Sequence, residues 1–165
     1  MQAETRRIVL SAAVVAGIVG CDQLTKYLAG LFLCSRGMVR VLGDVLILTY
    51  AENSGGFLGL GSAWHPAARV AVFGGLSLLV LACLAGFILR RRQLGLPGSA
   101  MLSLILGGGL GNVLDRLFRQ GYVRDFVNVG VGRLRTGVFN LADLCLMAGV
   151  IWAVLAQLVP MRKTR

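Results

Sequence analysis

A chain of 165 residues that is 56% hydrophobic and only 15% charged has more apolar surface than one soluble core of its size can enclose, so lipid must cover the rest. Its net charge of +10 does not point to nucleic acid, because the basic residues stand at the ends of apolar runs and not on one polar, aromatic-studded segment. Four such runs make one membrane domain and leave no room for a second.

The first run extends from Ile8 to about Leu33, behind Arg6 and Arg7. Ile18-Val19-Gly20-Cys21 after a basic end resembles the end of a lipoprotein signal peptide, and Arg6-Arg7 resembles a twin-arginine signal. Against both, Leu24, Tyr27, Leu28, Leu31 and Phe32 carry the apolar character past the cysteine, which predicts a retained helix over 8–33, with Cys21 neither cleaved nor lipidated. Asp22 and Lys26 stand four apart with the acid first, the favourable order for an ion pair on a helix surface. In the polar segment that follows, Asp44 and Glu52 read as solvated. The glycine-rich stretch ENSGGFLGLG, 52–61, offers Asn53 to a peptide backbone but lacks the Lys-Ser/Thr ending of a phosphate loop. His65, the single histidine, precedes Pro66 and reads as the cap of a helix predicted over 67–89, so histidine-based catalysis is not expected.

The third helix is predicted over 99–114. Gly107 and Gly111 have the spacing at which membrane helices touch, Asn112 places an amide at the outer end, and Asp115 adjoins Arg116, a reading that favours structural or substrate-orienting work. VRDFVNVGV, 123–131, reads as a strand whose alternation puts Val123, Asp125 and Val127 on one face, which argues against a simply solvated Asp125. The fourth helix is predicted over 139–159. Asn140 can cap it with Asp143 three residues on, a variant of the capping box, and a helix N-terminus favours an ionised carboxylate there. Cys21, Cys34, Cys83 and Cys145 have no CxxC spacing, so neither a disulfide framework nor a zinc site is expected.

If the N-terminus is cytoplasmic, residues 1–7, 90–98 and 160–165 carry eight Lys/Arg in 22 residues, against seven in 57 for residues 34–66 and 115–138. This positive-inside bias, strongest at Arg90-Arg91-Arg92, predicts that both termini are cytoplasmic and that 34–66 and 115–138 face outward. Of the seven acids, Glu4 alone falls on the cytoplasmic side. Carboxylates are costly near lipid, so any chemistry is expected at the outer face, where Asp22, Asp44, Glu52, Asp115, Asp125 and Asp143 gather.

DQLTK at 22–26, NSGGFLG at 53–59, GNVLDR at 111–116, VRDF at 123–126 and FNLAD at 139–143 resemble, in order and over essentially the whole chain, the successive motifs of bacterial lipoprotein signal peptidase, or signal peptidase II. One departure is visible, since the family's loop after Asn53 and Gly55 usually continues Ala-Ala-Phe and this one reads Gly56-Phe57-Leu58, which bears on the shape of the substrate cradle. The resemblance implies a mainly α, integral membrane fold of four transmembrane helices with a small extracytoplasmic β-cradle near 36–62, in the bacterial cytoplasmic (inner) membrane. It implies an aspartic endopeptidase that removes the signal peptide of diacylglyceryl-modified prolipoproteins just before the lipidated cysteine, without metal or cofactor, and that is sensitive to globomycin-type cyclic peptides. The catalytic pair falls on Asp125 and Asp143. Asp22, Lys26, Asn53, Gly55, Asn112, Asp115, Arg116 and Asn140 match positions that support the site or contact substrate.

Two neighbouring carboxylates share a proton, one acting as base on water and the other as acid on the scissile carbonyl oxygen. The helix end favours an ionised Asp143, and the valine and phenylalanine around Asp125 favour its neutral form. A proton-coupled carrier or channel predicts acids spread across the membrane in two related halves, yet 1–82 show no evident repeat in 83–165. A structural protein assembled through Gly107 and Gly111 leaves the outer polar motifs without a role.

Overall fold

The computed structural model describes residues 2–56, 60–91 and 93–158. Helix α1 spans Gln2–Leu33. It begins six residues ahead of the apolar run, with Glu4 in its first turn, where the helix dipole favours an acid, and it passes through Cys21 unbroken. Arg7 is buried and donates to the carbonyls of Ile88 and Leu89, the unpaired end of the next long helix.

Helix α2 covers Pro66–Arg90. His65 accepts from the amide of Ala67 at 3.3 Å and Pro66 occupies the first turn, so the expected cap is formed. Over Val70–Leu76 the turns widen to π geometry, which the hydropathy pattern does not announce. Helix α3, Leu96–Phe118, outruns its apolar stretch because Asp115 and Arg116 find partners within the protein. It ends where Gln120 and Gly121 turn left-handed at φ 53° and 87°. Helix α4 is Leu141–Leu158.

α3 is the central helix, and its glycines explain why. Successive helical residues point about 100° apart, so Gly107, Gly108 and Gly109 face three different helices. A Cβ on Gly107 would stand 3.0 Å from Ile18 of α1, one on Gly108 2.8 Å from the Leu146 amide of α4, and one on Gly109 2.6 Å from Leu81 of α2. The spacing of Gly107 and Gly111 identified one of these approaches and missed the two made by Gly108 and Gly109. The bundle is polar inside and apolar outside. Asp22, Lys26, Ser99, Ser103 and Asn140 are wholly buried, while Leu79, Val80 and Leu155 are more than half exposed, as expected where lipid is the solvent.

A four-stranded antiparallel sheet, ordered β1 (Val39–Leu42), β2 (Leu46–Asn53), β3 (Val123–Val131) and β4 (Leu134–Arg135), sits at one end of the bundle. The cradle therefore draws on both connecting segments, because β2 pairs along β3 with Ala51 opposite Asp125 and Asn53 opposite Val123. The fold is mainly helical, and among the described residues four helices are long and apolar enough to cross a membrane. Loop residues 57–59, where Phe57 and Leu58 depart from the expected motif, lie outside the described residues.

Candidate active site

Three local structures deliver the polar side chains to one place. Asn140 and Asp143 form a reciprocal cap on α4. The Asp143 amide donates to Asn140 Oδ1 at 2.9 Å and the Asn140 amide donates to Asp143 Oδ2 at 3.2 Å. The residue before the cap, Phe139, pairs with Val127 of β3, and this sets Asn140 beside Asp125. Its side-chain amide donates to Asp125 Oδ1 at 2.6 Å. Asn140 thus holds both carboxylates.

Each acid has one further amide. Asn53, at the end of β2, donates to Asp125 Oδ2 at 3.1 Å, and Asn112 of α3 donates to Asp143 Oδ1 at 2.7 Å. Asp125 is almost fully buried. Burial, and after it the negative charge of Asp143, pushes its carboxyl up from 3.8 to about 6 against the lowering effect of Asn53, Asn140 and Lys26. An acid so placed holds its proton well above the usual carboxylate range, beside a second carboxylate on a helix N-terminus.

Beneath the two acids lies an ionic layer. Lys26 Nζ is 2.8 Å from Asp22 and 3.4 Å from Asp115, and it donates to Asn112 Oδ1 at 3.0 Å. The Asp22–Lys26 pair expected on a helix surface is therefore wholly buried. That correction follows from α3, whose Gly111 allows Asp22 to lie against its backbone. Asp22 Oδ1 accepts from the amide of Ala142 at 2.9 Å, which anchors the first turn of α4 and hence Asp143. Asp115 takes the backbone amide and guanidinium of Arg124 at 3.0 and 2.8 Å.

Arg116 donates to the carbonyl of Gly55 at 3.2 Å and more weakly to that of Asn112 at 3.5 Å, while its Nε is buried without a partner. Gly55 donates its own amide to Asn53 Oδ1 at 3.0 Å. All ten residues singled out from the sequence, Asp22, Lys26, Asn53, Gly55, Asn112, Asp115, Arg116, Asp125, Asn140 and Asp143, are thus joined in one continuous network. Asp44 and Glu52 stay apart from it. Asp44 forms an exposed pair with Arg40, and Glu52 accepts from Tyr50.

Two members were not anticipated. Gln23 bridges Asp22, Asp115 and the carbonyl of Gly111 and receives Arg124. Arg124 is buried on the face of β3 opposite Asp125. Polar residues at 22, 23 and 26 within an apolar run were the available signal for Gln23. Arg124 had only its place in the VRDF motif, because alternation along a strand places an arginine on a solvent face by default. Among the described residues no cluster of His, Cys, Asp and Glu is arranged to hold a metal ion, and the four cysteines are free.

Residues 14–159 match the family model described as signal peptidase (SPase) II. The lipoprotein signal peptidase of Caldanaerobacter subterraneus subsp. tengcongensis is 33% identical over 146 residues, which cover 86% of this chain and 91% of that protein. That of Dehalococcoides mccartyi is 34% identical over 160 residues, 93% of this chain and 91% of its own length. A solved bacterial membrane enzyme, determined by the in meso method at 2.3 Å, superimposes with a TM-score of 0.80 at 26% identity, over 94% of this chain and 92% of that one.

Proposed function

The chain belongs to the signal peptidase II family, and from that premise we propose that it is an aspartic endopeptidase cleaving diacylglyceryl-modified prolipoproteins just before the lipidated cysteine, with Asp125 and Asp143 as its catalytic pair. The observation that carries the reading is Asn140, whose side chain and backbone bind both carboxylates, so that neither can turn away from the other. Protonated Asp125 donates to the scissile carbonyl oxygen while ionised Asp143 takes a proton from the attacking water. The tetrahedral intermediate then collapses as a proton passes to the leaving amine, and the pair returns to its single-proton state. Asn53 and Asn112 hold the two acids at fixed angles. Arg116, whose guanidinium meets the carbonyl of Gly55, is the donor for the substrate backbone.

Lys26, with Asp22, Asp115, Gln23 and Arg124, supports the floor of the site. This layer gives Asp143 a fixed helix end and lowers the cost of burying several acids together, since each carboxylate in it has a cationic or amide partner. The site is assigned to the extracytoplasmic face of the bacterial inner membrane with both termini cytoplasmic, a placement supported by the charge bias of the connecting segments. Globomycin-type cyclic peptides are expected to bind at the same two carboxylates. A carrier is not favoured, because Asp22, Asp115, Asp125 and Asp143 form one cluster instead of a path across the membrane.

The test is turnover of a purified diacylglyceryl-modified prolipoprotein by the folded protein and by Asp125→Asn and Asp143→Asn. Loss of proton transfer should cost each variant at least about 100-fold. Near-normal turnover by either refutes the pair.

A further inference from the structure

We propose that Phe73 is a positioning residue for this site, and that residue 56 is glycine because the Phe73 ring leaves no room for a side chain there. The π turns of α2 offset the residues that follow by roughly one position relative to a regular helix, and such turns are often found at functional sites. Phe73 lies within them, and its ring meets the loop that leaves β2. A Cβ on Gly56 would stand 2.8 Å from Cε1 of that ring, and one on Gly61 2.7 Å from Cε2. Trp64 stacks on the same ring, with centroids 5.5 Å apart and planes within 12°. The Gly56 amide donates to the carbonyl of Leu60 at 2.7 Å, so both ends of the loop rest on one aromatic surface.

From the ring a short chain of contacts leads to the carboxylates. The Arg116 guanidinium lies over Phe73 at 5.8 Å from the centroid and donates to the carbonyl of Gly55. The Gly55 amide holds Asn53, and Asn53 holds Asp125. Phe73 therefore sets the height of the segment from Asn53 to Gly56 above Asp125, and with it the direction of Arg116. Gly56 is the informative position. Its φ lies outside the left-handed region, and among the described residues the three atoms nearest to a methyl group there all belong to the Phe73 ring, whereas Gly61 at φ 74° disfavours any side chain whatever its neighbours.

The link to Asp125 rests on the aspartic-peptidase reading, which has its own control in wild-type turnover and its loss in Asp125→Asn. Within that frame, Gly56→Ala, Phe73→Leu and the double variant are compared for kcat, KM and the pH dependence of kcat/KM. A displacement of about 1 Å at a catalytic group costs up to about 100-fold, so Gly56→Ala is expected to lose at least about tenfold in kcat and to move the alkaline limb of the profile. Phe73→Leu in the Gly56→Ala background is expected to recover activity to within about threefold of Phe73→Leu alone, since the smaller side chain removes the clash. Wild-type activity in Gly56→Ala, or a double variant whose loss is the product of the single losses, overturns the proposal. If Gly56→Ala does not accumulate in the membrane, restored accumulation in the double variant supports the same contact, and continued absence overturns it. Trp64 emission in a Trp152→Phe background reads the contact without any cleavage. It should change on Gly56→Ala and return towards the Phe73→Leu value in the double variant, and an unchanged emission on Gly56→Ala overturns the contact even if the peptidase reading itself fails.

Discussion

Asp125→Asn is expected to stabilise the protein at neutral pH while it abolishes cleavage. The carboxyl titrates near 6 in the folded protein against 3.8 for an unperturbed aspartate. Its folded value lies above its unfolded value, so the folded state binds the proton more tightly. The resulting stabilisation is complete below 3.8 and is lost as the pH rises through about 6. Above that window the buried, ionised Asp125 lacks about 3 kcal/mol of stability that it contributes when protonated. Asparagine removes the charge but meets the donating amide of Asn53 with a second donor, and losing that hydrogen bond offsets about 1 kcal/mol. A net gain of about 2 kcal/mol is therefore expected at pH 7.5. Below pH 4 the advantage disappears and the wild type becomes the more stable form. The assay is equilibrium or thermal unfolding of both proteins in detergent micelles from pH 4 to 8, taking the difference at each pH so that the acids outside the coupled pair cancel. A variant less stable than wild type at pH 7.5, or a difference that does not change with pH, refutes the reasoning.

Lys26→Met should be strongly destabilising, by about 3–5 kcal/mol, because it leaves the buried Asp22 carboxylate without its cation; unfolding in detergent measures it, and a loss under 1 kcal/mol would mean that the amides of Gln23 and Ala142 suffice. Gly108→Ala places a methyl group against the backbone of Ala142 and Leu146, so it should cost about 1–3 kcal/mol and, by parting α3 from α4, reduce turnover more than Leu155→Ala on the lipid-facing side of α4. In intact cells a membrane-impermeant thiol probe on Arg91→Cys, in a background lacking the native cysteines, should not react from outside, while the same probe at Arg40 should; the reverse pattern overturns the assigned orientation.

Much of this architecture is written in local patterns. Apolar runs, three of the four long enough to cross a bilayer, specify the membrane helices. The alternation around Asp125 specifies a strand over 123–131, and Asn140 with Asp143 specifies a helix start, because each depends on residues within a few positions of one another. The ten polar residues of the site were legible through their motifs. Their wiring was not. Helical periodicity tells which residues share a face, but inside a bilayer the lipid side and the protein side of a helix can be equally apolar, so it does not tell which face is buried. Asp22 and Lys26 therefore looked like a surface pair until α3 closed over them at Gly111. Arg124 looked solvent-facing until Asp115 met it from α3, and Gly108 and Gly109 carried no pairwise spacing to mark them. Phe73 is the extreme case: a phenylalanine in an apolar run is indistinguishable from its lipid-facing neighbours, and only the widened turns of α2 and the approach of Gly56, Gly61 and Arg116 turn its ring into part of the site.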